Sequence, residues 1–425
     1  MLSQEKLKEI YRVFDPEPLS AGEESLYVDL DSVRGSSGLV RELTQKIRLS
    51  ANPTCQLLAG HRGSGKSTEL RQVQKKLESG NEKFFSVFCE VNQDLDPNDV
   101  DFPDVLIAIV RQIAERFHKK LKIKLKPGYF KQRWGELKGV LGAKVTLEQL
   151  ELDAGLAKFS AAIKSSPNIR EEIRKALEPH TNNWIYAANE VIGEAVLRLS
   201  KKGYKGLVVI VDGLDKISLR QHPTAGCTVA EYLFVNRCAQ LTAFNCHLIY
   251  AMPLALAYSC AERTIANLYG YTAPPVVPMT KIIDAEGNRH QEGFDKLKSL
   301  IEMRLNKAGV KKEDVFKEGV IDKVIECSGG QPRELINLVR ESIVEGELPI
   351  GTSTLESIAR KITHAYARQL REEHWKIIDQ VRRDHILKRD KENDPLCMEL
   401  LDSRAILQYK NEKEWYGVNP LLPKH

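Results

Sequence analysis

The sequence predicts a parallel α/β sheet sandwiched by helices, with further helices and a small domain after it, and a few apolar runs carry that prediction. Residues 54–59 (TCQLLA) and 206–212 (GLVVIVD) are short and apolar, the second rich in β-branched side chains, as strands buried on both faces require. Residues 84–91 (FFSVFCEV) read as a further strand, and 247–253 (HLIYAMP) as the next one after a helix over 231–244. Helix-like stretches lie between them, at 68–77 after the first strand and 105–117 after the second, which supplies the crossovers a parallel sheet needs.

With 425 residues the chain has room for two or three domains, and 42% hydrophobic residues give each a core. A formal charge of +5 is too mild to mark the whole molecule as a nucleic-acid binder, although a local patch stays open. The eight cysteines are dispersed with no C-x-x-C pair and read as reduced, core-packed thiols. The chain opens on polar residues and holds no apolar run of bilayer length, so a cytoplasmic location and no membrane partner are expected.

Gly60, His61, Arg62, Gly63, Ser64, Gly65, Lys66 and Ser67 match the spacing G-x-x-x-x-G-K-[ST] between a strand-like and a helix-like segment. Glycines at these positions let backbone N–H groups curl around an anion, and the helix that follows points its positive end at phosphates. A nucleoside triphosphate with Mg²⁺ is therefore the expected ligand. Lys66 would reach the β and γ phosphates, Ser67 would offer its hydroxyl to the metal, and Thr68 would start the helix. The absence of the base-selecting N-K-x-D pattern tilts the choice from GTP to ATP.

Asp212 closes the most β-branched strand, at the carboxyl end where ligands of open α/β sheets bind, and is expected to hold Mg²⁺ opposite Ser67. The residue after it is Gly213 rather than an acid, so Asp215 is the nearest carboxylate that could orient and deprotonate an attacking water. Displacement by a short turn predicts slow turnover; capping of that turn is the other use of Asp215.

On these motifs the chain resembles the AAA+ and STAND branch of P-loop NTPases. Met252 and Pro253 stand at the strand end where members of that branch carry the sensor 1 residue, and residues 327–335 (CSGGQPREL) look like its lid motif, with Arg333 as the sensor 2 arginine. The resemblance spans about residues 26–340 and implies adenine contacts near Val33, Arg34 and Gly35. It also implies an N-terminal segment over 1–50, an ATPase core over 51–285 with an insertion at about 118–200, a helical lid over 286–350 and a winged-helix-like domain over 351–425. Lid helices are expected over 293–308, 317–326 and 334–345. Like origin-recognition and Cdc6-type initiators and many STAND proteins, the tail offers helices at 372–387 and 398–401, then strands at 405–409 and 415–419 around a polar turn.

The insertion interleaves Lys119, Lys120, Lys122, Lys124, Lys126, Lys131, Arg133 and Lys138 with Tyr129, Phe130 and Trp134, a pattern that could hold phosphates and stack bases. The plainer reading is favoured: residues 121–126 alternate with period two, as a half-exposed edge strand would, followed by helices over 166–177 and 184–200. Arg237 is an arginine-finger candidate if subunits assemble. Glu399 and Asp402 beside the second tail helix oppose DNA phosphates, which favours a docking role for the tail.

The expected activity is ATP binding with slow hydrolysis in a nucleotide-dependent conformational switch. The resemblance implies bacterial signalling or antiviral defence as its setting, a protein effector or sensor as partner and room for a nucleotide-dependent homo-oligomer. A DNA-binding ATPase of initiator or transposition-regulator type is the alternative.

Overall fold

The computed structural model describes residues 3–19, 22–35, 38–125, 132, 157, 160–161 and 163–423. The chain forms two compact units, one of Val40–Ala59 and Leu70–Pro275, the other of Met1–Leu39, Gly60–Glu69 and Val276–His425.

The first of these is built on the parallel sheet. Its strands are β1 (Cys55–Gly60), β2 (Phe85–Glu90), β3 (Leu207–Asp212) and β4 (His247–Ala251), each within a residue or two of the run that predicts it. They lie in the order β2-β3-β4-β1, so β3, the most β-branched strand, is interior. Leu57, Leu58, Ala59 and the whole of Leu207 to Val211 are at most 1% exposed, which is the burial on two faces that a parallel sheet with helical crossovers imposes. The register pairs Leu58 with Ala251, Val211 with Tyr250 and Glu90 with Asp212. All four strands therefore present their carboxyl ends along one edge.

The crossover after β2 is the helix Phe102–Leu121, started by a capping box in which Asp101 and Asp104 serve each other's backbone. Helices Pro167–Leu177 and Thr181–Ser200 lead back to β3. The edge strand expected over 121–126 does not form in the described residues: the helix runs through Leu121, and Lys122 ends it in the left-handed region at φ 58° with its N–H returned to the carbonyls of His118 and Phe117. Helix capping outweighs the period-two pattern there. Lys126, Tyr129, Phe130, Lys131, Arg133, Trp134 and Lys138 of the basic patch lie outside the described residues. Of its remaining members, Lys119 pairs with Glu115 and Lys120 with Glu78.

The single helix expected over 231–244 is broken into Val229–Glu231, a π-helical turn Tyr232–Asn236 and Cys238–Leu241. The Arg237 N–H reaches five residues back to the Tyr232 carbonyl. That wider turn accompanies a side chain committed elsewhere, since the Arg237 guanidinium pairs with Asp101 at 3.1 Å and Glu178 at 2.8 Å.

The other unit is mainly helical. Helices Gln291–Lys307, Val320–Ser328, Pro332–Glu345 and Thr352–Ala367 share one core through Leu297, Leu300, Ile301, Val324, Leu335, Leu338, Val339 and Leu355. The N-terminal helix Gln4–Val13, capped by the Ser3 hydroxyl, puts Ile10 and the following Phe14 into that same core. Lys6 ties it down further through the Ala308 carbonyl at 2.7 Å. The second lid helix starts at Val320 rather than 317 because Gly319, at φ 77°, turns the chain into it.

A short strand β5 (Val276–Val277) opens the last segment. The tail holds helices Glu372–Asp384 and Asp394–Asp402, followed by an antiparallel hairpin of β6 (Ile406–Lys410) and β7 (Glu414–Val418). Tyr409 and Trp415 stack at 4.3 Å on the face that packs against Met279. The helix expected to reach 387 stops at Asp384, where His385 turns left-handed at φ 56°. Among the described residues no helix is long and apolar enough to cross a membrane.

Candidate nucleotide site

The chain leaves β1 at Gly60 and enters the helix Lys66–Glu78, so the glycine-rich segment is a strand-to-helix loop. The helix begins at Lys66, ahead of the expected Thr68, because the positive φ of Gly65 (100°) ends the loop and the Glu69 N–H already closes on the Gly65 carbonyl at 3.0 Å. Ser67 and Thr68 therefore both lie in the first turn. This strand, loop and helix define a P-loop fold.

Two glycines are required by what surrounds them. A Cβ on Gly63 would stand 2.9 Å from the Arg333 Cβ and 3.0 Å from the Gln331 side-chain nitrogen, and one on Gly65 would stand 2.9 Å from the Arg34 guanidinium. Both residues also hold φ values, 85° and 100°, that L side chains rarely adopt. Lys66 is only 3% exposed and lays its ammonium across the loop, donating to the Gly60 carbonyl at 2.7 Å and the His61 carbonyl at 3.2 Å. Oxygen acceptors already surround it, as they would in a phosphate site.

Val33, Arg34 and Gly35 sit beside this loop. Val33 is fully buried and its carbonyl accepts the Lys281 N–H at 2.9 Å. Arg34, 2% exposed, donates to Glu69 at 2.9 Å and to the Ser64 carbonyl, while the Tyr27 hydroxyl donates to the other Glu69 oxygen at 3.1 Å. Burial raises the Glu69 carboxyl, opposed by the neighbouring Arg34 charge, and the same burial, with Glu69 close by, raises the Tyr27 phenol. Gly35 passes under the Lys410 carbonyl, which a Cβ would meet at 2.1 Å.

Gln331 and Arg333, at the start of the helix Pro332–Glu345, and the hairpin also bond to the loop. Gln331, 1% exposed, donates its amide to the Arg62 carbonyl, and the Arg333 backbone N–H donates to the Gly63 carbonyl at 3.3 Å. The Arg333 guanidinium meanwhile reaches the Pro16 carbonyl at 3.3 Å. His61, 1% exposed, accepts the Gln408 N–H of β6 on its Nε2 at 2.9 Å, and the Arg62 side chain pairs with Asp402 at 3.3 Å. Burial, together with the charges of Lys66 and Arg404, pushes the His61 imidazole down to about 3, so the ring is neutral and its Nε2 is free to accept. Gln331 falls inside the motif read at 327–335 but is given no role there, and Gln408 and Tyr27 carry no motif that marks them in the sequence.

In the sheet unit, Asp212 ends β3 and Glu90 ends β2 directly beside it. Gly213, at φ 98°, then turns the chain into a 3-10 turn, Leu214–Lys216, which holds Asp215 at 7% exposure. Glu90 is held by Arg71 on one oxygen and by the Gln93 amide at 2.7 Å on the other, with its own N–H on Gln112 at 3.2 Å. The Arg71 guanidinium stacks over the Phe88 ring at 3.5 Å. Its burial lowers its pKa, and Glu90 and Asp212 both pull it back up, so one cation serves the two carboxylates. The structure thus groups the loop with Val33, Arg34, Gly35 and Arg333, and groups Asp212 with Glu90 and Arg71. Ser67 and Asp212 are hard oxygen donors of the kind Mg²⁺ accepts alongside phosphate oxygens and water.

No protein-family model matches the chain, and no curated protein matches it. Among solved structures, it is similar to the Walker-type ATPase PABY2304 of Pyrococcus abyssi, at 15% identity and a TM-score of 0.49, over 96% of this chain and 98% of that one. It is also similar to Cdc6p from Pyrobaculum aerophilum, at 12% identity and a TM-score of 0.36, over 96% of this chain and 94% of that one. Function is therefore read from this chain's own residues.

Two outcomes follow from the buried groups at the loop. The folded His61 imidazole titrates at about 3 and a free one near 6.5, so the unfolded chain binds more protons in that window and stability falls as the pH drops through it. Between pH 7 and pH 5 this amounts to about 2 kcal/mol, and His61→Gln, melted across that range, should show a correspondingly flatter pH dependence than the wild type. Arg34→Met leaves the Glu69 carboxylate buried without its cation and should cost about 3–5 kcal/mol in urea unfolding, part of it recovered in the double variant with Glu69→Gln.

Proposed function

We propose that this chain is an ATP-binding, slowly hydrolysing P-loop ATPase that works as a nucleotide-dependent conformational switch. The observation that carries the reading is that one loop, Gly60 to Ser67, has phosphate-binding chemistry and is bonded at His61, Arg62 and Gly63 by residues of the lid and the C-terminal hairpin. A ligand can shift a conformational equilibrium only through contacts that differ between states, and a triphosphate entering this loop must change what the lid and hairpin touch.

In the proposed site Lys66 neutralises the β and γ phosphates, Ser67 and Asp212 hold Mg²⁺ and Arg333 reports the γ-phosphate from the lid. The pairing of the loop with Asp212 is supported by the order of elements: the glycine-rich loop follows the first strand, and Asp212 closes the most β-branched strand at its carboxyl end, where open α/β sheets bind ligands. When bound, Mg²⁺ supplies charge neutralisation and in-line orientation for phosphoryl transfer.

The tail, read as a winged helix, serves in this proposal as a docking element for a protein effector or sensor. Glu399 is paired with Arg371 at 2.6 Å and His374 at 3.1 Å, and Asp402 with Arg62, so acids line the helix that a DNA reader would present to phosphates. Bacterial signalling or antiviral defence is the setting that the sequence resemblance suggests.

Lys66→Ala should reduce ATP affinity by at least about tenfold in a titration with fluorescent nucleotide, since a charge-assisted phosphate contact contributes about 1.5–3 kcal/mol. Normal binding by that variant would remove the nucleotide site. Arg333→Ala should bind ATP within a few-fold of wild type yet lose the ATP-dependent protection from protease that lid closure confers; unchanged protection would take the sensor role away from Arg333.

A further inference from the structure

We propose that Glu90, at the end of β2, is the carboxylate that orients the attacking water and takes its proton, a role that sequence reasoning gives to Asp215. The inference rests on the ATPase reading above and names the base of that site.

Hydrolysis requires an acceptor for the water proton next to the metal carboxylate. In many ring-forming ATPases the residue after the metal aspartate is that acid, but here it is Gly213. Asp215 comes three residues later, beyond the left-handed bend of Gly213, and is 7% exposed inside its turn. Water would have to enter a covered turn to use it.

Glu90 has the placement that Asp215 lacks. It is the register partner of Asp212 on the adjacent parallel strand. Aligned residues on parallel neighbours project to the same face of the sheet from strands about 4.8 Å apart. Both end their strands at the same edge of the sheet. The Glu90 side chain is 43% exposed, so water reaches it, and Arg71 with Gln93 fixes its orientation. Arg71 reaches Glu90 from the helix Lys66–Glu78.

In the reaction a water oxygen forms a bond to the γ-phosphorus and the bond from that phosphorus to the β,γ-bridging oxygen breaks. The bridging oxygen keeps the electron pair and leaves with ADP. The water proton passes to a Glu90 carboxylate oxygen and is then released to solvent, leaving inorganic phosphate. A positioned general base contributes about 10²–10⁴-fold to such a step.

The test measures Mg·ATP binding and phosphate release on the full chain for the wild type, Glu90→Gln, Asp215→Asn and Lys66→Ala. Glu90→Gln keeps a hydrogen-bonding side chain of the same length, and should bind ATP within about threefold of wild type while losing at least about 100-fold in turnover. Asp215→Asn should lose less turnover than Glu90→Gln, by at least about tenfold. The acid limb of the wild-type pH–rate profile should be absent from the residual rate of Glu90→Gln, which a merely structural role would not produce. If the glutamine variant does not fold, Glu90→Asp, a carboxylate one methylene shorter, should lose at least about tenfold in turnover. Turnover near wild type in the folded Glu90 variant, the loss appearing in Asp215→Asn instead, or a wild type that binds ATP but releases no phosphate would each overturn the assignment. Failure of the wild type to bind ATP, or normal binding by Lys66→Ala, would instead remove the nucleotide site itself.

Discussion

The buried ion pair between Arg34 and Glu69 is the constraint on which the loop's shape depends. A guanidinium and a carboxylate that are 2% and 3% exposed have no water to turn to, so each must find its partners inside the protein. Arg34 meets that demand by taking Glu69 with one nitrogen and the Ser64 carbonyl with another. The loop backbone is thereby fixed to a residue thirty positions away in sequence, and Gly65 has to be a glycine because the guanidinium occupies the space a side chain would fill. The arginine that the sequence resemblance offers as an adenine contact also braces the glycine-rich loop.

What the sequence makes legible follows from how local the physics is. The β-branched run ending at Asp212 can only be an interior strand, and the glycine spacing at Gly60 to Gly65 has one chemical use between a strand and a helix. The helices over 291–384 are readable from apolar periodicity, with ends shifted by a few residues wherever a left-handed residue such as Gly319 or His385 sets the boundary. Contacts over long separations are not readable. Gln331 and Gln408 are neutral amides whose type gives them no evident role, even where, as at Gln331, a motif surrounds them, and their partners at the loop lie 269 and 347 residues away. Glu90 is hidden for a related reason: an acid at the end of an apolar run looks like a boundary residue until strand register puts it beside Asp212. The alternation over 121–126 misleads because capping by Lys122, a local effect of another kind, competes with it and wins.

The loop is also a meeting point for elements far apart in the chain. The N-terminal segment braces it, the lid bonds to Arg62 and Gly63, and the hairpin bonds to His61. The bonds from Gln331, the Arg333 backbone and the hairpin are neutral hydrogen bonds of modest individual strength, about 1 kcal/mol net, and only the Arg34 contact carries a charged donor. Several weak bonds to one short segment yield a grip that can be exchanged one bond at a time.

The guanidinium of Arg237 closes the N-terminal end of a twenty-residue helix by neutralising Asp101, the residue whose side chain caps it, and it is anchored again by Glu178. To reach across to a neighbouring molecule it would have to abandon both acids and unseal that helix. In the single molecule the cation that the sequence offers for a neighbouring copy is thus engaged at home, and lending it out would be coupled to loosening the start of that helix.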